Sequence, residues 1–186
     1  YDLLGKSAAF VRGRMTKQQV RRAVIDGDLI AVEKDLVLHS DVMHIDGNMF
    51  LITVCDLLQL TLQVHVERES HAVLGMALQG QLELLHSKGF KPKRVYIDPQ
   101  SALRSLETKF PNVSFDVAGA KDYVPKADIK IRRIKERYRS VKTSLAWKLP
   151  TILVKDLVAF AVSRINIERS AAINQAVAPK VLLTGL

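Results

Sequence analysis

Residues 37–54 read V-L-H-S-D-V-M-H-I-D-G-N-M-F-L-I-T-V, and the arrangement of the remaining chain follows from this stretch. β-Branched and long apolar residues fill both arms, with Asp46-Gly47-Asn48 between them, which predicts two strands joined by a tight hairpin turn. Asp41 breaks the pattern. It falls inside the first strand among Leu38, Val42, Met43 and Ile45. A carboxylate there is costly unless it is hydrogen-bonded, paired or bound to a metal. The ordinary alternative is an aspartate that caps a turn, so Asp41 gains meaning only from partners elsewhere in the chain.

The 186 residues are enough for one well-buried domain and few for two. With 48% hydrophobic and 25% charged residues, the chain is expected to fold. No apolar run approaches the roughly 20 residues that cross a bilayer, so no membrane partner is expected. Lys6, Arg12 and Arg14 interrupt the apolar positions near the start, which excludes a signal-peptide pattern there. The single cysteine, Cys55, rules out an internal disulfide and a multi-cysteine zinc site, and is expected as a small buried hydrophobe at a strand end. An intracellular protein is expected. Because the sequence begins at Tyr1 and not at Met, a piece of a longer polyprotein is expected as well.

Net charge is +9 and points to a polyanionic partner, nucleic acid before membrane. Its location matters more than its size. Between Lys121 and Lys142 stand nine Lys or Arg and three acids, which accounts for +6 of the +9.

The chain then falls into order. A basic lead-in contains a short helix from Thr16, capped by Gln19 three residues on, to about Ile25. After the hairpin, Leu60 to Glu67 alternates apolar and polar as a third, half-buried strand, with His65 on its wet side. Ser70 opens a helix to about Ser87, whose expected inward stripe is Val73, Ala77, Gly80 and Leu84 beside Leu74, Leu78 and Leu85; Gly89 ends it. Val95-Tyr96-Ile97 is a short strand followed by Asp98, Gln100 to Phe110 a helix, and Val113 to Val117 a fifth strand. Pro125 suits the first turn of a helix over about 126–142. At 100° per residue, Ala127, Ile131, Ile134, Tyr138 and Val141 form its apolar stripe, while Asp128, Arg132, Lys135, Arg139 and Lys142 form a second stripe a quarter-turn away. A further amphipathic helix runs from after Pro150 to about Ile167, and the tail is expected to be loop-like around Pro179. The expected division is a lead-in over 1–35, a core over 36–168 and a tail over 169–186. The sequence holds no dinucleotide-binding glycine motif, no phosphate-binding loop, no Cys/His cluster and no repeat.

Three acids now stand at corresponding places: Asp41 in the first strand, Asp98 after the fourth and Asp128 at the start of the long basic helix. His39-Ser40-Asp41-Val42-Met43-His44-Ile45-Asp46-Gly47 resembles the first-acid strand and hairpin of retroviral-type integrases. Val95-Tyr96-Ile97-Asp98 resembles the strand that ends in their second acid. Val124-Pro125-Lys126-Ala127-Asp128-Ile129-Lys130-Ile131-Arg132-Arg133 resembles the third-acid helix of copia-type retrotransposon integrases, and the lead-in around Gly5-Lys6-Ser7 resembles the segment before their core. The resemblance covers nearly the whole chain. It implies an α/β, RNase H-like fold: a five-stranded mixed sheet, its first three strands antiparallel, flanked by helices. It further implies DNA 3′-end processing and strand transfer by Asp41, Asp98 and Asp128, which would hold two Mg²⁺ or Mn²⁺ ions. Arg132 and Lys135 would contact DNA, with Lys126, Lys130, Arg133, Arg139 and Lys142 of the same helix as further candidates. The partners implied are element ends, target DNA and other copies of the chain, and the implied site of action is the nucleus.

The chain departs from that pattern in three respects. The third acid is Asp128 where the family has Glu, and only 30 residues separate it from Asp98. The zinc module that precedes the family's core cannot be built with one cysteine. A catalytically inert RNase H-like domain that binds nucleic acid or self-associates is therefore the alternative. An RNase H-type hydrolase would need a fourth acid near the site, which the sequence does not supply. Glu136, two turns down the helix from Asp128, is the rival third ligand.

Overall fold

β1 (Asp35–Ile45) and β2 (Asn48–Cys55) reverse at Asp46 and Gly47, whose φ angles are 45° and 74°. Positive φ at both central residues belongs to the tight turn whose twist suits paired antiparallel strands, and Asp and Gly tolerate it best. The Asn48 side-chain amide donates to the Asp46 carbonyl and closes the turn at 3.1 Å. The computed structural model describes residues 35–97, 111–117, 125–168 and 178–184. The expected helices at 16–25 and 100–110, Asp98, and Gly119-Ala120 lie outside those residues.

β2 pairs antiparallel with β3 (Thr61–Val66), β1 pairs parallel with β4 (Lys91–Ile97), and β4 pairs parallel with β5 (Ser114–Val117). The result is a five-stranded mixed sheet in the order β3-β2-β1-β4-β5, with the first three strands antiparallel as expected. Alternation along β1 and β2 gives the sheet two apolar faces. One face carries Leu36, Leu38, Leu51 and Cys55 and is covered by helix α1 (His71–Ser87) through Leu74, Leu78, Leu82 and Leu85. The other carries Met43, Phe50, Ile52 and Val54. Helices α2 (Pro125–Ser144) and α3 (Val154–Ile167) cover it through Ile131, Ile134, Tyr138, Val158, Ala161 and Ile165. The sheet is thus the middle of three layers, and Cys55 is buried at a strand end as expected.

Two expectations need correction. On α1, Gly80 is exposed and Leu84 is 41% exposed; the inward positions are Leu74, Ala77, Leu78, Gln81, Leu82 and Leu85. Leu74, Leu78, Leu82 and Leu85 define that face, and Gln81 lies within it. Its amide oxygen accepts from the Thr53 hydroxyl at 2.6 Å, its amide nitrogen reaches the Leu51 carbonyl at 3.5 Å, and Thr53 also bonds Ser40 at 2.9 Å. A buried polar side chain is tolerated when its hydrogen bonds are made, as the sheet makes them here. The tail is not loop-like at Pro179: a short helix, α4 (Pro179–Thr184), begins there, and its Leu183 packs against the α1-side core. Proline's fixed φ suits a first helical turn, the same rule that holds at Pro125.

Candidate active site

Asp41 sits in the middle of β1, half-buried, opposite Ile52 of β2. Alternation puts it between His39 and Met43 on the face that α2 and α3 cover, because Met43 belongs to that core while Leu38 and Val42 pack on the other. One carboxylate oxygen, Oδ1, accepts from the Val42 amide at 2.7 Å, which fixes its orientation. Behind it, on the opposite face, Ser40, Thr53 and Gln81 form the buried hydrogen-bonded set described above. β4 is described as far as Ile97, whose register partner is Ser40, the residue before Asp41. Asp98, the next residue in sequence, lies outside the described residues.

Helix α2 runs parallel to β1. At its start Lys126 forms an ion pair with Asp56, whose amide bonds the Val37 carbonyl near the beginning of β1. Towards its end, the Tyr138 hydroxyl donates to Asp46 Oδ2 at 2.6 Å and Lys142 pairs with the same oxygen, at the tip of the hairpin. The tie at Asp46 gives a common origin for counting along both elements. Asp128 stands ten residues before Tyr138, about 15 Å along a helix. Asp41 stands five residues before Asp46, about 16 Å along a strand. Counted from Asp46, the two acids thus stand about equally far back along their elements.

They also share a side. At 100° per residue, Asp128 and Lys142 lie within about 40° of each other on α2. The opposite flank is occupied elsewhere: Lys130 donates to the Gln59 carbonyl at 3.4 Å, and Arg133 and Arg137 pair with Glu168 at the end of α3. Burial and the neighbouring Arg133 guanidinium lower the Lys130 pKa. Of the remaining basic candidates, Arg132 pairs with Glu136 at 3.0 Å on the exposed face. Lys135 and Arg139 make no ion pair among the residues described. Glu136 is exposed and committed to Arg132, on the side of the helix away from the sheet.

Sequence reasoning overlooked His39. It is 8% exposed, and neither ring nitrogen has a hydrogen-bond partner. Its ring stacks on Tyr96 of β4 at 5.0 Å between centroids and 13° between planes. Burial lowers its pKa; the nearby Asp56 raises it and Lys126 lowers it further. The neutral ring is therefore favoured on the acid-bearing face, two residues from Asp41. The pattern His39-Ser40-Asp41 was the only signal in sequence, since alternation puts both side chains on one face. Among the described residues no group of three His, Cys, Asp or Glu could hold a metal ion.

No family model matches the sequence, and no curated protein matches it. Its backbone is similar to a solved structure, the catalytic core domain of BIV integrase, with a TM-score of 0.58 over 80% of this chain and 93% of that one, at 13% identity. The fold is an RNase H-like integrase core. Identity this low carries the fold and nothing finer. Within this fold Asp41 lies on β1 and Asp128 on α2, and the stacked His39 and Tyr96 lie on neighbouring strands, His39 two residues from Asp41.

Proposed function

We propose that this chain is the catalytic core of a retrotransposon integrase of copia type. It would process DNA 3′ ends and join them to a target by phosphodiester transesterification, with Asp41, Asp98 and Asp128 as the acid triad. The observation that supports it most is the tie of Tyr138 and Lys142 to Asp46, from which Asp128 and Asp41 stand about equally far back along α2 and β1. Carboxylate oxygens are the donors that hard divalent cations prefer, so Asp41 and Asp128 fit Mg²⁺ or Mn²⁺ by type, with Asp98 as the third ligand. A bound pair of such ions activates an attacking hydroxyl and stabilises a leaving oxygen. The chain's own contribution is to orient Asp41 through the Val42 amide and to back it with the Ser40–Thr53–Gln81 set. Lys135 and Arg139, on the flank of Asp128, supply cations for the DNA backbone, contacts that give affinity without reading sequence. Copies of the chain would assemble on the DNA ends, in the nucleus. No helix among the described residues is long and apolar enough to cross a membrane.

The test is thermal. Mg²⁺ or Mn²⁺ should raise the melting temperature, because a ligand bound only by the folded state stabilises it. Asp41→Asn should abolish the increment; an increment of the same size in the variant would place the metal elsewhere. A second reading, an inert RNase H-like domain that binds nucleic acid, is favoured by Asp128, one methylene shorter than the Glu of the family's pattern. Metal-dependent stabilisation and DNA binding without any nicking or joining of an oligonucleotide would select it.

A further inference from the structure

We propose that Asp46, at the tip of the β1–β2 hairpin, is a positioning residue for the acid site, setting the register of α2 against β1 through Tyr138 and Lys142. This inference rests on the integrase reading for its purpose, and on the geometry of the hairpin for its mechanism.

The apolar side of α2, Ala127, Ile131, Ile134 and Tyr138, helps to set that register through the fit of its packing, with no bond of fixed direction. A hydrogen bond is directional and short-ranged. Two features make the bond at Asp46 the stiffest tie between α2 and the sheet. Tyr138 is 1% exposed, with a ring held in the core by Phe50, Ile52 and their neighbours, so its hydroxyl has one place to be. Asp46 is held from the other side by a turn with φ at 45° and by the Asn48 amide on its carbonyl. Asn48 in turn meets His65 of β3 at 3.2 Å.

The remaining ties are softer. Lys126 to Asp56 and Lys130 to the Gln59 carbonyl use flexible lysine stems, and Arg133 and Arg137 hold α2 to Glu168 beyond α3, not to the sheet. Lys142 joins Tyr138 on one Asp46 oxygen, so a single carboxylate gathers a neutral and a charged donor, four residues apart on the helix. Its distance from Asp41 along β1 matches the distance from Tyr138 to Asp128 along α2. Moving α2 by one residue would shift Asp128 by about 1.5 Å and turn it by about 100°.

The experiment reads register directly and without metal. Spin labels on exposed cysteines at His44→Cys and Ile129→Cys, one on β1 and one near Asp128 on α2, report the separation of the two elements. With Asp46 intact the distance distribution should be single and narrow. In Asp46→Ala and in Tyr138→Phe, which removes only the hydroxyl, it should broaden or shift while the far-UV spectrum stays folded. Asp46→Asn keeps an oxygen for Tyr138 and should restore the narrow distribution. A distribution unchanged in both Asp46→Ala and Tyr138→Phe would overturn the proposal. So would one that Asp46→Asn fails to narrow. The same variants are then melted with and without Mn²⁺. If the labels respond but the intact protein shows no Mn²⁺ increment, Asp46 still sets the register and the metal-site reading is what has failed. If both respond, the increment should fall in Asp46→Ala and return in Asp46→Asn.

Discussion

Asp46 shows how much one side chain can hold when its charge is matched. Hydrogen bonds from Lys142 and then Tyr138 lower its pKa. Tyr138 is pushed the other way, raised by burial first and by the Asp46 carboxylate second. The sign for Asp46 follows from linkage. With its folded pKa below the unfolded value of about 3.9, the unfolded chain binds more protons in that window, so stability rises with pH there. The contribution is present above about pH 4 and is lost as pH falls through the lowered folded value. Melting temperature should therefore fall more steeply below pH 4 in the intact protein than in Asp46→Asn, measured by circular dichroism. Equal slopes would mean that the carboxylate gains nothing from its two donors. None of this was visible in sequence, where Asp46 served only as hairpin punctuation. Its partners lie 92 and 96 residues away, and no local pattern reports a contact of that range.

At the level of elements, local signals carried well and distant ones did not. Alternation and the Asp46-Gly47 turn were sufficient to find β1, β2 and β3, and 100° spacing found the buried stripe of α2. The inward face of α1 was misjudged at Leu82 and at Gln81, which is buried against Thr53 and the Leu51 carbonyl on another element. Of the proposed acid set, Asp41 and Asp128 could be picked out as carboxylates at odd places, whereas the ties of α2 to the hairpin could not. The basic helix α2 also divides more sharply than composition implied. One flank is spent on Gln59 and Glu168, and the other keeps Lys135 and Arg139. Lys135→Ala with Arg139→Ala should weaken DNA binding about equally across sequences. It should also reduce the slope of log affinity against log salt by up to about two phosphate contacts' worth, at ~0.9 per contact. Fluorescence anisotropy over a salt series measures it. An unaltered slope would leave this flank as solvated charge.

For the molecule as a whole, the sheet has two edges, and the one at β3 is capped at Thr61, the first residue of the strand. The Asn166 side chain, near the end of α3, accepts from the Thr61 amide at 2.9 Å and donates to the Thr61 carbonyl at 2.7 Å, both buried. A carboxamide presents an acceptor and a donor side by side, as a neighbouring strand would. Open strand edges invite pairing with another chain, and proteins cover them by various means. Asn166→Ala should therefore leave the Thr61 backbone pair without its partner and raise light scattering on warming before the ellipticity is lost; scattering that only follows unfolding would show the edge protected by other means. The two ends of this contact are 105 residues apart. During synthesis at about 5–20 residues per second, the strand would emerge several seconds before the side chain that caps it. For that interval the start of β3 is left sticky, and α3 brings the side chain that covers it late.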